Sequence, residues 1–313
     1  MLSIPQIATY ISYLFVIIAY TVKVVKVARM PMHLRWELYP VPHEIGYKYG
    51  GSYYEELDWW THPRRLSRVR DILSKLRDYF TFPGYFTRNK GYWFGLFPWH
   101  IGFYTIVLFH ILSFLGALLM VTAGIEIAAA SPALIGQAVY YLTLIAAACA
   151  FILGSIGSLV LLGQRLFDRD LRNYATASNY FNYVFFLAVF VSGLIAWLFF
   201  DPTFAHYRQF WVGVITFTYV LPVTAEYIHI MLFSLFLVYL PFTRSTHYIT
   251  NLIAYFGVLW EDTPNIRGNI PQEKIKQALA RPVSWSAPHI QRGKTWAEVA
   301  SGMPADSSQV DKP

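Results

Sequence analysis

Residues 229–247 read HIMLFSLFLVYLPFTRSTH, an apolar run with a histidine at each end. A continuous run of Ile, Met, Leu, Phe and Val favours a helix that crosses a lipid bilayer. Titratable rings are costly next to lipid, so their presence in such a helix indicates a functional site. His229 and His247 are therefore the first candidate ligands in this chain.

The composition of the whole chain is also typical of a membrane protein. Of its 313 residues, 56% are hydrophobic and only 14% are charged, whereas soluble domains average roughly 25% charged residues. The hydrophobic residues form long blocks, each near the ~20 residues that cross a bilayer. We predict an all-α integral membrane bundle of five transmembrane helices, at about 7–25, 99–123, 134–163, 180–200 and 222–243.

These spans divide the chain into four parts. We expect the first transmembrane helix within 1–28, a cytoplasmic insert at 29–98, a four-helix membrane core at 99–250, and a cytoplasmic tail at 251–313. The insert contains a basic, amphipathic helix predicted from about 64 to 80. Such a helix is typical of a segment that lies on the membrane surface or docks a partner.

The basic residues predict the orientation. Of the 25 Lys and Arg residues, 24 fall in segments on one side of the five predicted spans, and Arg208 is the exception. Because short cytoplasmic loops are enriched in Lys and Arg, that side is predicted to be cytoplasmic. The N-terminus is then outside and the C-terminus inside, and the net charge of +7 needs no nucleic-acid partner. Arg208 and His206 lie in an apolar stretch at 203–221, which we predict to be tilted or interfacial.

Two more histidines lie in the second span, within PWHIGFYTIVLFH, which ends at His110. Helical geometry separates His100 from His110 by about 15 Å along the axis, and His229 from His247 by about 27 Å on one face. The second and fifth spans run antiparallel. His100 is therefore predicted to pair with His247 near the cytoplasm, and His110 with His229 nearer the outside. The unequal spacings require a bend, which we predict at Pro241.

Two stacked pairs of imidazoles between helices are what two six-coordinate haems need, because each iron takes one imidazole from either side. Iron binding would offset the cost of burying the rings, and the second nitrogen of each ring can donate to the protein. The alternative is that these histidines only hydrogen-bond neighbouring helices. The single Cys149 excludes an iron–sulfur cluster, a CxxCH haem site or a disulfide built by this chain alone.

Two charged residues near the last span are further candidates. Arg244 precedes His247 by three residues and is placed to pair with a haem propionate, although arginine is also common at the cytoplasmic end of any span. Glu226 lies one turn before His229 and is a candidate acceptor for protons released by quinol oxidation. The alternative for Glu226 is a water-exposed carboxylate favoured at a helix start.

The histidine pattern resembles the gamma subunit of respiratory nitrate reductase, with HX9H in the second span, HX17H in the fifth and PFTR before the last histidine. That family is a five-span dihaem cytochrome b that oxidises membrane quinol and passes electrons inward. Over about 99–250, the resemblance implies His110 and His229 as ligands of the outer haem b, and His100 and His247 as ligands of the inner one. It also implies a quinone substrate, expected to be menaquinol.

The insert resembles a related group. MPMHLRWELYPVPHE at 30–44 and GGSYYEELDWW at 50–60 are similar to the cytochrome b subunits of sulfate-respiring bacteria, in membrane complexes of the Tmc type. Those subunits adjoin a cytoplasmic iron–sulfur protein similar to heterodisulfide reductase. The resemblance implies such a partner, with a periplasmic cytochrome c as a further one. The two resemblances together imply the quinone-reactive, electron-transfer subunit of an oxidoreductase complex in a bacterial inner membrane.

Two other functions stay open on the sequence. A non-redox membrane anchor or assembly subunit predicts no haem absorbance, and little effect of His→Ala substitutions beyond expression. A dihaem subunit of a hydrogenase or formate dehydrogenase type of complex predicts the same haems with a different partner. Identifying the protein that co-purifies with the chain separates the redox alternatives.

Overall fold

The computed structural model describes residues 1–29, 57, 58, 61, 67–259 and 267–302, without the side chains of 245, 254–259 and 271. Within these ranges the chain forms thirteen α-helices and no β-strand, so the all-α prediction is confirmed. The helices in chain order are α1 (Ile4–Ala28), α2 (Arg68–Thr81), α3 (Pro83–Arg88), α4 (Lys90–Ala123), α5 (Leu134–Ala148), α6 (Gly154–Phe167), α7 (Arg169–Asn173), α8 (Ala177–Phe199), α9 (Ala205–Thr216), α10 (Thr224–Tyr239), α11 (His247–Leu259), α12 (Ile270–Leu279) and α13 (Trp296–Ala300).

Five helical stretches in the described part of the chain are long and apolar enough to cross a membrane, which confirms the five-span bundle. They are α1, α4, the continuous stretch from α5 to α6, α8, and α10 with the turn that follows it. The helix of the second span begins at Lys90 rather than at 99 and continues through Pro98. The amphipathic helix predicted at about 64–80 is confirmed from Arg68 onward, as α2, and residues 64–66 of the predicted range lie outside the described residues.

The third span is not a uniform α-helix. A π-helical turn at Cys149–Leu153 joins α5 to α6, and it holds Phe151 fully buried. Beyond this turn, α6 packs closely on α4. The approach is so close that a side chain at Gly102 would collide with the backbone of Gly154. Small residues let membrane helices approach in this way. The contact fixes α4 and α6 as the centre of the bundle, with α5 and α9 also packed on α4.

The α-helix of the fifth span ends just before Pro241. The helix α10 ends at Tyr239, and Pro241 lies in a short 3-10 turn, Leu240–Phe242, because proline cannot continue the α-helical hydrogen bonds. The break predicted at Pro241 is thus confirmed, and the helix that carries His229 does not continue to His247. His247 instead begins the separate helix α11.

The apolar stretch at 203–221 forms α9, a helix of 12 residues. At a rise of about 1.5 Å per residue it is too short to cross a bilayer. One face of α9 is buried against α4. The polar end of α1 packs on the segment after α9, where Gln6 donates a hydrogen bond to the Thr218 carbonyl at 2.7 Å.

The chain divides into two compact units. The first comprises 1–20 and 72–245, and it contains most of the membrane bundle. The second comprises 21–71 and 246–313, and within its described residues α12 and α13 flank two isolated β-bridges, Pro282 with Thr295 and Ala287 with Ile290. Of the insert segments that carry the second resemblance, 30–44 lies outside the described residues, as does 50–60 except for 57 and 58.

Candidate functional site

The structure brings together two of the four predicted histidine ligands. His110 on α4 and His229 on α10 are 5% and 4% exposed, and their ring centres are 6.0 Å apart. Within the part of the chain that the structure describes, the Nε2 atoms of both rings are buried and have no hydrogen-bond partner. Buried polar atoms without a partner are rare in folded proteins, and each calls for a specific explanation.

The other ring nitrogen of each histidine is anchored. His110 Nδ1 donates to the Ile106 carbonyl at 2.8 Å, which leaves Nε2 of the neutral ring with its lone pair. Ser192 donates its own hydrogen to the Val189 carbonyl at 2.9 Å, so its oxygen accepts from His229 Nδ1 at 3.1 Å. Both rings are therefore held in the tautomer that a metal ligand needs, with Nε2 as the donor of electrons.

Aromatic side chains surround the pair without separating it. Phe233 stacks on His110 with ring centres 3.6 Å apart, and its centre is 6.2 Å from that of His229. Since the two imidazole centres are only 6.0 Å apart, Phe233 lies beside them rather than between them. Phe151, from the π-helical turn, meets His229 edge-on at 5.5 Å. These rings keep the pair away from water and in a medium of low polarity.

A small cavity of about 10 Å³ adjoins His229, with room for about one water molecule. Its lining residues include His229, Tyr207 and two acidic residues, Asp201 and Glu226. Glu226 is 3% exposed, so the alternative of a water-exposed carboxylate at a helix start is wrong. Its role as a proton acceptor stays a prediction.

The two carboxylates form a polar group with His206. One ligand atom from each of Asp201, His206 and Glu226 lies within 4.8 Å of the other two. His206 Nδ1 is 3.9 Å from Glu226 Oε1, and the His206 side chain is 62% exposed while that of Glu226 is 3% exposed. Both oxygens of Glu226 are buried without a hydrogen-bond partner among the residues described. We call Asp201, His206 and Glu226 the acidic cluster.

The start of α9 positions this cluster. Asp201 accepts hydrogen bonds from the backbone amides of Ala205 at 2.8 Å and Tyr207 at 3.0 Å, and these bonds satisfy donors at the helix start. Arg208 is buried and donates to the Thr203 carbonyl at 2.8 Å. Burial lowers the pKa of Arg208, and the negative charge of Asp201 acts in the opposite direction.

The other predicted site residues lie elsewhere. His100 is partly buried on α4, its Nδ1 2.8 Å from the Leu96 carbonyl, in the same arrangement as His110. Its ring centre is 4.6 Å from that of Phe82. His247 and Arg244 are exposed at the start of α11 and of the turn before it. His100 and His247 belong to different compact units, so their pairing stays a prediction, as does the contact of Arg244 with a propionate.

Comparison with known proteins adds no assignment. Family models, curated proteins and solved structures were all searched, and none matches the chain.

Three residues of this region were not anticipated as site residues: Asp201, His206 and Ser192. Asp201 does carry a sequence signal, because it follows the apolar block of α8 and precedes Pro202, where a helix-capping carboxylate is common. His206 enters the sequence analysis only as part of the stretch at 203–221 that is predicted to be tilted or interfacial. Ser192 had no signal, since a serine on a membrane helix usually bonds its own backbone.

Proposed function

We propose that the chain is a membrane cytochrome b in which His110 and His229 hold one haem. The observation that supports this most directly is the anchored pair of imidazoles. Two rings from different spans are buried with centres 6.0 Å apart, and each has a partnered Nδ1 and an unpartnered Nε2. If the two histidines only joined helices, their Nε2 atoms would be expected to form hydrogen bonds as well.

The donor set fits an iron bound by two imidazoles. Metal–imidazole bonds are about 2 Å long, and a ring nitrogen lies about 1 Å from the ring centre. Two imidazoles that bound one metal would therefore have centres at most about 6 Å apart, and the 6.0 Å between His110 and His229 lies at this limit. The surrounding space is filled by Phe151 and Phe233, so a macrocycle requires these two rings to turn aside.

The chain's own residues would orient and insulate the haem. Ile106 and Ser192 hold the two rings in the ligand tautomer, and hydrogen bonds of this kind raise the basicity of the ligating nitrogen. Phe109, Phe151 and Phe233 are buried and apolar, so they would keep water away from a bound haem, and low local polarity is one of the factors that set a haem potential. When bound, haem supplies reversible one-electron transfer.

The rest of the proposal follows the resemblance. A second haem b would use His100 and His247, with Arg244 near a propionate. Electrons would pass between a membrane quinone, expected to be menaquinol, and a cytoplasmic iron–sulfur partner similar to heterodisulfide reductase, in an inner-membrane complex that a periplasmic cytochrome c could also join. Five apolar helices with paired histidines support this function.

The deciding experiment is a reduced-minus-oxidised spectrum with a pyridine haemochrome assay on the purified full chain. We expect two b haems per chain, and we expect His110→Ala and His229→Ala each to remove the same single haem. His289→Ala, which changes an exposed histidine of the tail, is the matched control and should keep both. A chain without Soret absorbance, expressed in a host that makes haem b, would instead favour the non-redox anchor.

A hydrogenase or formate dehydrogenase type of complex is separated by its partner. Mild solubilisation of the native membrane and identification of the co-purifying subunit tests this point. An iron–sulfur subunit without a hydrogenase or molybdenum centre agrees with the proposal, and a subunit that carries either centre contradicts the assignment of the partner.

A further inference from the structure

We propose that the acidic cluster of Asp201, His206 and Glu226 binds a divalent transition-metal ion, such as Zn²⁺, at the end of the bundle where α8 ends and α10 begins. This inference is independent of haem binding. The three residues come from the segment after α8, from α9 and from α10, and their ligand atoms lie within 4.8 Å of one another.

The state of Glu226 is the observation that points to a cation. Its side chain is 3% exposed, and its carboxylate interacts with the Asp201 carboxyl and the backbone of Val223 without a hydrogen bond of regular geometry to either oxygen. A buried carboxylate without well-formed hydrogen bonds is costly, and a second carboxylate beside it adds repulsion between like charges. A divalent cation removes both costs at once, because it binds the free oxygens and neutralises the pair.

The ligand types select the class of metal. An imidazole nitrogen with two carboxylate oxygens suits Zn²⁺ and similar transition metals, whereas Mg²⁺ and Ca²⁺ prefer all-oxygen sites. Three protein ligands also leave a coordination position for water or another ligand. Asp201 and Glu226 also line the cavity of about 10 Å³ beside the cluster.

The geometry requires only a small closure. Zinc bonds to nitrogen and oxygen are about 2.0–2.2 Å long, so ligand atoms on one zinc ion are about 3–4 Å apart. His206 Nδ1 is already 3.9 Å from Glu226 Oε1. The exposed side chain of His206 is free to rotate inward, whereas Asp201 is held in place by the amides of Ala205 and Tyr207.

The buried charge of Arg208 sets a limit on the affinity. Arg208 interacts with Asp201, so the site has one net negative charge when both carboxylates are ionised. The bound complex then carries one net positive charge near the surface, where His206 is exposed. Bound metal would also occupy Glu226, so a role of this carboxylate in proton transfer is possible only while the metal is absent.

The test is calorimetric titration of Zn²⁺ into the full chain in detergent, purified without a polyhistidine tag. We expect one saturable site per chain, with zinc preferred over Mg²⁺. His206→Ala and Glu226→Gln should each weaken binding about tenfold or more, since each removes a ligand. His289→Ala, an exposed histidine outside the cluster, should bind zinc as the wild type does.

A second control separates this site from the imidazole pair. His110→Ala removes one of the two buried imidazoles, His110 and His229, whose Nε2 atoms have no partner among the described residues. This variant should bind zinc as the wild type does, whatever its haem content. X-ray absorption at the zinc edge should give nitrogen and oxygen neighbours at about 2.0–2.2 Å. Absence of saturable binding, or equal affinity in the wild type and His206→Ala, overturns the proposal and leaves two carboxyls that share a proton.

Discussion

Ser192 on α8 lies 3.1 Å from Nδ1 of His229 on α10, and the same hydroxyl donates to the Val189 carbonyl. One small side chain therefore joins two spans and sets which nitrogen of His229 carries the hydrogen. The consequence is that Nε2 faces its buried surroundings as a lone-pair donor. This relationship turns an apolar helix–helix contact into a position suited to metal coordination.

We expect Ser192→Ala to weaken the binding of the outer haem about tenfold, because partners of a ligating histidine typically contribute 10–100-fold to metal affinity. The inner haem should be unaffected. Haem occupancy is measured by titrating haem into the apoprotein, and the midpoint potential of the outer haem by redox titration. Ser192→Thr keeps the hydroxyl and should restore both values, so equal defects in the two variants would indicate a packing effect instead.

The contact between Gly102 and Gly154 predicts a sharp steric effect. We expect Gly102→Leu to destabilise the bundle by about 1–3 kcal/mol, the usual cost of overpacking, because its side chain would meet the backbone of α6. Gly163→Leu is the matched control, since nothing lies within 4 Å of a Cβ at that position. Thermal unfolding in detergent measures both. An equal loss in the two variants would contradict the close packing of α4 on α6.

The capping role of Asp201 predicts a loss of stability at α9. Asp201→Ala leaves the amides of Ala205 and of the buried Tyr207 without their acceptor, and we expect a cost of about 1–2 kcal/mol. Asp168 accepts from two amides at the start of α7 but is exposed, so Asp168→Ala should cost less. Chemical unfolding of both variants compares them. A larger effect at Asp168 would argue against the buried cap.

The charge asymmetry predicts the side on which each loop lies. In a Cys149→Ala background, Ala130→Cys lies between the second and third spans and Tyr174→Cys between the third and fourth, both at exposed positions. We expect a membrane-impermeant maleimide to label Ala130→Cys in intact cells, and Tyr174→Cys only after the cells are opened. The reverse pattern would invert the proposed orientation and move the acidic cluster to the cytoplasmic side.

The spans themselves could be predicted from the sequence because the physics that makes them is local. A block of about 20 apolar residues satisfies its own backbone hydrogen bonds as a helix in lipid, whatever its neighbours do. The end of α10 near Pro241 is local for the same reason, since proline removes a helical donor in any context. The four candidate ligands, His100, His110, His229 and His247, could also be found from the sequence, because a titratable ring in or beside an apolar run is costly to bury.

What the sequence by itself determined is therefore the number of spans and the residues that need an explanation. Only the tertiary structure decided which of them meet. Membrane helices are apolar all round, so hydrophobicity does not reveal which face turns inward. The bond from Ser192 to His229 depends on the rotation of α8, and the acidic cluster depends on how α9 folds back between Asp201 and Glu226. These contacts arise from packing between distant segments, which no local pattern of residues encodes.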